Sequence, residues 1–300
     1  MNAKIQRKCP LCGKDDVSSF LQKKELALVC CKNCGMIFAN PVPAEMSGEF
    51  YDNLGTPFYL SPEKLECDYA SVRFEREWRL FRKFCPQGMI LDVGCSTGAF
   101  LFQLKSRGNY QVTGTDISKP ALDYARSRDL GIIGNSFPDH NFGEIRFDAI
   151  TFWAVIEHLL EPEKFLRKAA MLLKSGGHCF ILVPNLKSLA VRLLGAKYRY
   201  IFPQHLNYFT ARTLKRFVLT EHFEIVASGS MHFNPIVIWQ DFRSKGDFVP
   251  DDQRAALLKR TTAYKQNPVL KPVKIIYRLT ENMLSRLNLS DNLFIVLRKK

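Results

Sequence analysis

Met89-Ile90-Leu91-Asp92-Val93-Gly94-Cys95-Ser96-Thr97-Gly98-Ala99-Phe100-Leu101-Phe102 is the stretch that decides how this chain is read. Met89, Ile90 and Leu91 are consecutive apolar residues, as at the end of a strand buried on both faces. Asp92 closes the strand, Gly94 and Gly98 bracket a tight turn, and Ala99 to Lys105 reads as the start of a helix. A strand, turn and helix in this order bring backbone N–H groups and a helix N-terminus up to a ligand. Dinucleotide sites use G-x-G-x-x-G to that end. Here the pattern is D-x-G-x-x-x-G, with an acid ahead of the first glycine. A carboxylate there repels a pyrophosphate and suits a cation or hydroxyls. The loop therefore predicts a nucleoside that carries a positive group and no phosphate.

Around this stretch the composition is that of a globular chain, 46% apolar and 24% charged over 300 residues, enough for one large domain or two smaller ones. No apolar run reaches the length of a membrane span, and Met1 to Arg7 lacks a signal-peptide core. Nine cysteines without such a signal fit a reducing, cytoplasmic setting, as thiols or metal ligands. The net charge of +14 lies wholly in residues 161–300, which carry 24 Lys/Arg against 10 Asp/Glu. A basic half suits an anionic partner: nucleic acid, a phosphate-bearing substrate or the inner membrane surface at its periphery.

Toward the N-terminus, Cys9-Pro10-Leu11-Cys12-Gly13 and Cys31-Lys32-Asn33-Cys34-Gly35 form two C-x-x-C knuckles. Each places two thiolates on one tight turn, and four thiolates suit one tetrahedral Zn²⁺. Cys30 adjoins Cys31, but Cys31 keeps the spacing. With Phe20 to Val29 as a hairpin, residues 1–43 read as a zinc ribbon that exits through the stiff Asn40-Pro41-Val42-Pro43. Residues 44–85 read as a connector, with Phe50-Tyr51-Asp52 and Phe58-Tyr59 followed by one helix over 63–85.

Toward the C-terminus, Gln111 to Thr115 reads as a second strand ending at Asp116, an acid placed to accept both ribose hydroxyls, beside Ile117. Asp116 could instead cap the helix Pro120 to Arg128, a role that Ser118 can also fill. Leu130 to Gly134, Phe147 to Trp153 and His178 to Asn185 read as further strands, Pro162 to Leu173 as a helix, and Leu186 to Phe202 as a basic, apolar cover. Thr210 can cap a helix over Ala211 to Leu219. Glu224 to Ser228 is a sixth strand and Asp291 to Lys299 the last. Residues 86–229 and 291–300 thus form an α/β, doubly wound core, and 230–290 a helical insertion with helices over 251–266 and 270–289.

Asp92-Val93-Gly94-Cys95-Ser96-Thr97-Gly98 resembles the first motif of class I S-adenosylmethionine-dependent methyltransferases, usually D-x-G-x-G-x-G, with Ser96 at the middle glycine. The runs F-D-A-I…V-I-E-H-L and L-L-K-S-G-G resemble the same family. The resemblance implies a seven-stranded, Rossmann-like sheet whose last strand runs antiparallel and inserts near the fifth. It implies S-adenosyl-L-methionine as cofactor, held by Asp92, Gly94, Cys95, Ser96, Gly98, Asp116, Ile117 and Trp153, with Asn135 and Ser136 at the adenine. Pro203-Gln204-His205-Leu206-Asn207-Tyr208-Phe209-Thr210 resembles a segment of ubiquinone-type O-methyltransferases and sugar C-methyltransferases. It makes His205, then Tyr208, candidates for catalysis; His158, after Glu157, is a third candidate, as a base or as the organiser of a loop.

The expected function is methyl transfer to a small molecule or glycoconjugate: a saccharide, a nucleotide-linked sugar or an amphiphile. The alternative is an RNA methyltransferase that uses the ribbon and the basic half. Against it, the chain has no N-P-P-Y or D-P-P-Y tetrad to hold a flipped base. A third reading is a partner protein that binds the cofactor without catalysis. The acceptor atom and the oligomeric state are not legible in these residues.

Overall fold

In a computed structural model, residues 4–43, 58–134, 136–219, 222–244, 251–267 and 271–300 are described. The aromatic triplet Phe50-Tyr51-Asp52 and the adenine candidate Asn135 lie outside them. The chain opens with five short strands: β1 (Lys4–Ile5), β2 (Val17–Lys23), β3 (Leu26–Cys31), β4 (Ile37–Ala39) and β5 (Val42–Pro43). β2 and β3 form the expected hairpin, with Val17 opposite Cys31 and Lys23 opposite Leu26. The segment expected as a stiff exit is partly strand, because Val42 and Pro43 pair with Ile5 and Lys4.

The single helix expected over 63–85 is two helices, α1 (Pro62–Tyr69) and α2 (Glu75–Phe84). Ala70 leaves the helical region, with ψ at 139°. Arg73 turns back to pair with Asp68 at 3.0 Å. The carbonyls freed at the end of α1 do not go unpaired. Gln103 Nε2 donates to those of Tyr69 and Ala70, at 3.2 and 3.3 Å. A periodicity of apolar residues cannot reveal such a break, since Gln103, which takes up the freed carbonyls, is distant in sequence.

The core then alternates strand and helix: β6 (Gly88–Val93), α3 (Ala99–Arg107), β7 (Tyr110–Thr115), α4 (Lys119–Ser127), β8 (Gly131–Ile133), β9 (Phe147–Trp153), α5 (Pro162–Leu172) and β10 (Leu173–Pro184). β10 begins earlier than expected, and its register with β9 shifts between Leu173 and His178. That shift absorbs Lys174 to Gly177, which reads as a helix stop. After α6 (Leu189–Leu194) and β11 (Asn207–Tyr208) come α7 (Ala211–Val218) and β12 (Phe223–Met231). Thr210 caps α7 reciprocally with Thr213, through bonds of 3.2 and 2.9 Å, an arrangement worth about 1 kcal/mol. Three helices follow, α8 (Pro235–Arg243), α9 (Asp251–Gln266) and α10 (Lys271–Arg286), and the described chain closes on β13 (Asn292–Lys299). The expectation named helices for α9 and α10 and missed α8.

Seven strands form one sheet in the order β12-β13-β10-β9-β6-β7-β8. β13 runs antiparallel between β10 and β12, and the other pairings are parallel. The sheet is buried on both faces, so its strands read as apolar runs rather than as alternations. On one face Phe81 of α2 packs among Phe100, Tyr110 and Phe180, with centroids 4.8–5.8 Å away. Burying a side chain of that size contributes about 2–3 kcal/mol. On the other face Phe152, Ile150 and Val183 join α5, α7 and, unexpectedly, Cys9, Cys31, Cys34, Met36 and Phe38 of the N-terminal strands. The carboxyl ends of β6, β7, β8, β9 and β10 share one edge, where doubly wound sheets bind ligands. The chain from β12 to β13 leaves and returns at that same edge, because Met231 pairs with Asn292 and Asn292 with Pro184.

Candidate active site

The turn after β6 has an acid on either side, Asp92 at the strand end before it and Asp116 bonded to it from the next strand. Gly94 and Gly98 take φ of 72° and 77°, and Ser96, in place of a glycine, takes 48°. A side chain at Gly94 would meet Val155 at 2.6 Å, so the turn lies directly against the segment after β9. Asp116 holds the turn to the next strand. One of its oxygens accepts the Ser96 amide at 2.8 Å and the other the Ser118 amide at 2.9 Å. Ser118 is the N-cap residue of α4, but its hydroxyl makes no cap bond. Asp92 is buried, and Thr151 donates a hydrogen bond of 2.6 Å to it. Burial pushes Asp92 up to about 7, against the bond from Thr151. Thr151 is a partner that no motif reveals. Cys95 is buried, Ile117 is exposed beside Asp116, and Ser136 accepts the amides of Asp139 and His140 on its carbonyl. Trp153 rests edge-on against Phe100, and its buried Nε1 has no partner among the described residues.

At the end of β9 the backbone turns sharply, with Ala154 at φ 58°, into a short 3₁₀ turn over Ile156–His158. His158 Nδ1 lies 2.9 Å from the Gln204 carbonyl, and His205 Nδ1 lies 2.8 Å from that of Tyr200. A carbonyl only accepts, so both Nδ1 atoms carry the proton and Nε2 is the basic nitrogen of each ring. The rings stand 4.8 Å apart, nearly perpendicular. Burial lowers His158 to about 4, with the Arg254 charge adding to it, and His205 lies well below its usual value through burial and then His158. Two neutral imidazoles thus meet at this edge. Glu157 is fully buried beside them, and neither carboxylate oxygen has a partner among the described residues. Burial raises it to about 8. The ligand atoms of Glu157, His158 and His205 all fall within 4.8 Å of one another. Tyr208 differs from them: its hydroxyl donates to the Phe202 carbonyl at 3.1 Å. That bond gives it a share in folding the segment that bears His205.

The segment carrying His205 is held by the N-terminal strands. Asn207 and Tyr208 pair with Phe38 and Ile37, so β11 extends the sheet of β2, β3 and β4. Arg7 donates to the carbonyls of Leu160 and Leu206, at 3.4 and 3.1 Å, and to Asn207 Oδ1 at 2.5 Å. Asn207 Nδ2 in turn donates to the carbonyls of Ile156 and Leu159. One guanidinium and one amide therefore tie together the turns that carry His158 and His205. The four thiols of Cys9, Cys12, Cys31 and Cys34 lie within 4.8 Å of one another, with Cys9–Cys34 and Cys12–Cys31 at 3.5 Å. Thiolates around a tetrahedral Zn²⁺, with bonds of about 2.3 Å, stand about 3.8 Å apart, so the donor set fits that ion. Cys30 turns its thiol to the Cys31 carbonyl and stays outside the group.

Comparison with known proteins places this geometry. Residues 70–228 match a family described as a methyltransferase domain. A ubiquinone biosynthesis O-methyltransferase of Vibrio parahaemolyticus is 32% identical over 164 residues, 49% of this chain and 68% of that one. Its counterpart in Alkalilimnicola ehrlichii is 38% identical over 120 residues, 36% of this chain and 47% of that one. The chain thus spans between about half and two thirds of these relatives. A solved structure titled a possible histamine N-methyltransferase, from Thermotoga maritima, superposes with a TM-score of 0.53 at 15% identity, over 84% of this chain and 98% of that one. At that identity the likeness is one of fold.

Two outcomes test this edge. Glu157 holds a proton in the folded chain between its ordinary 4.5 and about 8, where the unfolded chain has lost it. Stability therefore falls as pH rises through that window. Glu157→Gln removes this slope, and its melting temperature should gain on the wild type by a few degrees between about pH 5 and pH 8. Equal slopes would show the carboxyl to be solvated or paired. Second, metal analysis should find one Zn²⁺ per chain, and chelation should raise amide exchange at Leu206 to Tyr208 at least tenfold, a region without a cysteine. Unchanged exchange there would separate the knuckles from the site.

Proposed function

Because the chain belongs to the methyltransferase-domain family, we propose that it is a class I S-adenosylmethionine-dependent methyltransferase acting on a small molecule or glycoconjugate acceptor. The observation that carries the reading is the pair of acids beside the glycine turn, Asp92 at the end of β6 and Asp116 bonded to the Ser96 amide, at the same edge as two neutral histidines. The cofactor, when bound, supplies a methyl group made electrophilic by a sulfonium. The residues present suit it: Asp92 is a buried acid with a single hydroxyl partner, and Ile117 is an exposed apolar side chain beside the Asp116 carboxylate. In this reading Asp92 and Gly94 take the methionine part, with Cys95, Ser96 and Gly98 lining the turn, and Asp116 takes the ribose hydroxyls. Ile117, Asn135, Ser136 and Trp153 surround the base.

His205 is the proposed general base, with His158 beside it. Each keeps Nε2 as its basic nitrogen and can accept a proton from an acceptor hydroxyl as the new bond forms. Alignment supplies most of the rate in a reaction of this kind. Glu157, neutral near pH 7, adds no charge to oppose an imidazolium or to stabilise it. Tyr208 and the zinc ribbon formed by Cys9, Cys12, Cys31 and Cys34 position the His205 segment. The proposed division of the chain is a ribbon at 1–43, a connector at 44–85, a cofactor-binding core at 86–229 completed by 291–300, and a cover at 230–290. The proposed setting is the cytoplasm, with the basic half at the periphery of the inner membrane surface.

Calorimetry tests the cofactor site. A cation placed at Asp92 expels its proton, so binding should release one below about pH 7, and affinity should rise with pH up to that value and then level. Asp92→Asn should abolish the pH dependence and weaken binding at least tenfold; a flat profile in the wild type would refute the assignment of Asp92. Methyl label supplied with fractionated extract tests the acceptor class. Label in nuclease-resistant small molecules, saccharide or lipid supports the reading, and label in nuclease-sensitive material moves it to RNA. His205→Asn should then lower turnover about 100-fold with cofactor affinity unchanged; full turnover would remove His205 from the chemistry.

A further inference from the structure

The helix α10 (Lys271–Arg286) uses both of its sides. One side docks on the core. Glu281 and Leu284 are buried, Glu281 pairs with Arg76, the Tyr277 hydroxyl donates to the Phe233 carbonyl, and Ser285 and Ser230 exchange hydrogen bonds. The other side is apolar and open. Ile275, Ile276, Leu279, Met283 and, just past its end, Leu287 are each 56–67% exposed. Their spacing places them on one stripe along the helix. Together they present roughly 500 Å² of apolar surface, the size at which a patch on a soluble protein marks an interaction site. Among the described residues nothing covers this stripe, and the docked side already anchors the helix.

The charge beside the stripe selects the occupant. Arg278 and Arg286 are exposed on the same helix, and its sole acid, Glu281, is turned inward onto Arg76. A second copy of the chain would bring the same cations against them, an arrangement that repels. An anionic bilayer offers the complement: acyl chains for the stripe and headgroup phosphates for the arginines. Trp239 and Phe242, also exposed, stack on each other in α8 of the same insertion, with Arg243 over the Trp239 ring at 4.3 Å. We infer that α10 is an interfacial helix that seats the insertion on an anionic lipid surface, with its apolar stripe about 5–10 Å below the headgroups. Since the insertion closes on the ligand edge of the sheet, the active site would then lie next to the membrane. The inference is independent of the methyl-transfer reading, because the surface is tested without cofactor or acceptor.

The full chain is sedimented with vesicles of phosphatidylcholine alone and with vesicles in which about a third of the lipid is phosphatidylglycerol. Binding is expected only to the anionic vesicles, weakening with salt. Leu279→Asp/Met283→Asp, both at exposed positions, should lower the partition at least tenfold, with the melting temperature unchanged. Arg278→Gln/Arg286→Gln should cost about fivefold per arginine and flatten the salt dependence. No binding to anionic vesicles, equal binding to neutral ones, or full binding by the aspartate variant would each overturn the inference. So would a wild-type dimer, seen by light scattering, that the aspartate variant dissolves, since a second copy would then be the occupant. Calorimetry with S-adenosylmethionine, run in parallel, reports separately on the proposed activity.

Discussion

Burial of ionisable groups with little compensating charge is the constraint on which the ligand edge rests. Asp92, Glu157, His158 and His205 all lie where water is excluded, and in each the same effect dominates: desolvation disfavours the charged form. The carboxyls are pushed up and the imidazoles down. Three of the four, Glu157, His158 and His205, are therefore mostly uncharged near pH 7, and Asp92 is poised to titrate there. Such a surface can be covered by a helical insertion at modest cost. Asp116 differs from these four: its carboxylate accepts two backbone amides and so braces the turn.

The N-terminal strands belong to this design. A ribbon closed by four thiolates would ordinarily be an appendage. Here its sheet takes in Asn207 and Tyr208 as a fourth strand, and its cysteines share one hydrophobic core with α5 and α7. Two long-range contacts complete the seam: the Lys23 amine on the Ile201 carbonyl at 3.0 Å and Arg216 on the Cys34 carbonyl at 3.2 Å. The loop bearing His205 is thus built on a rigid element, the support that its proposed role requires.

Much of the fold was legible because parallel strands and glycine turns leave strong local signals. Phe147 to Trp153 is strand throughout, and Asp92 to Gly98 is the turn that its glycines demand. What was not legible depended on contacts distant in sequence. The break between α1 and α2 is held by Gln103 and by the Arg73–Asp68 pair. The bond from Thr151 to Asp92 spans 59 residues and that from Arg7 to Asn207 spans 200. Helix α8 begins at a proline and a run of β-branched residues, which on propensity alone favour other structure. The pairing of two histidines was equally hidden, since each looked like a lone ring on a loop until the fold brought them to 4.8 Å.

The sheet contains one further economy. The insertion departs after Met231 and returns at Asn292, and these two residues lie opposite each other on adjacent strands, with the Asp291 amide donating to the His232 carbonyl beside them at 2.7 Å. Its ends are therefore already joined by the ladder, whatever lies between them. A segment attached in this way adds only the slowly growing entropy of a longer loop, and its length can change without shifting the register of any strand. The core thus carries the insertion as a replaceable cassette. One sheet of this design can exchange what is carried between these two strands while the residues beneath remain where they are.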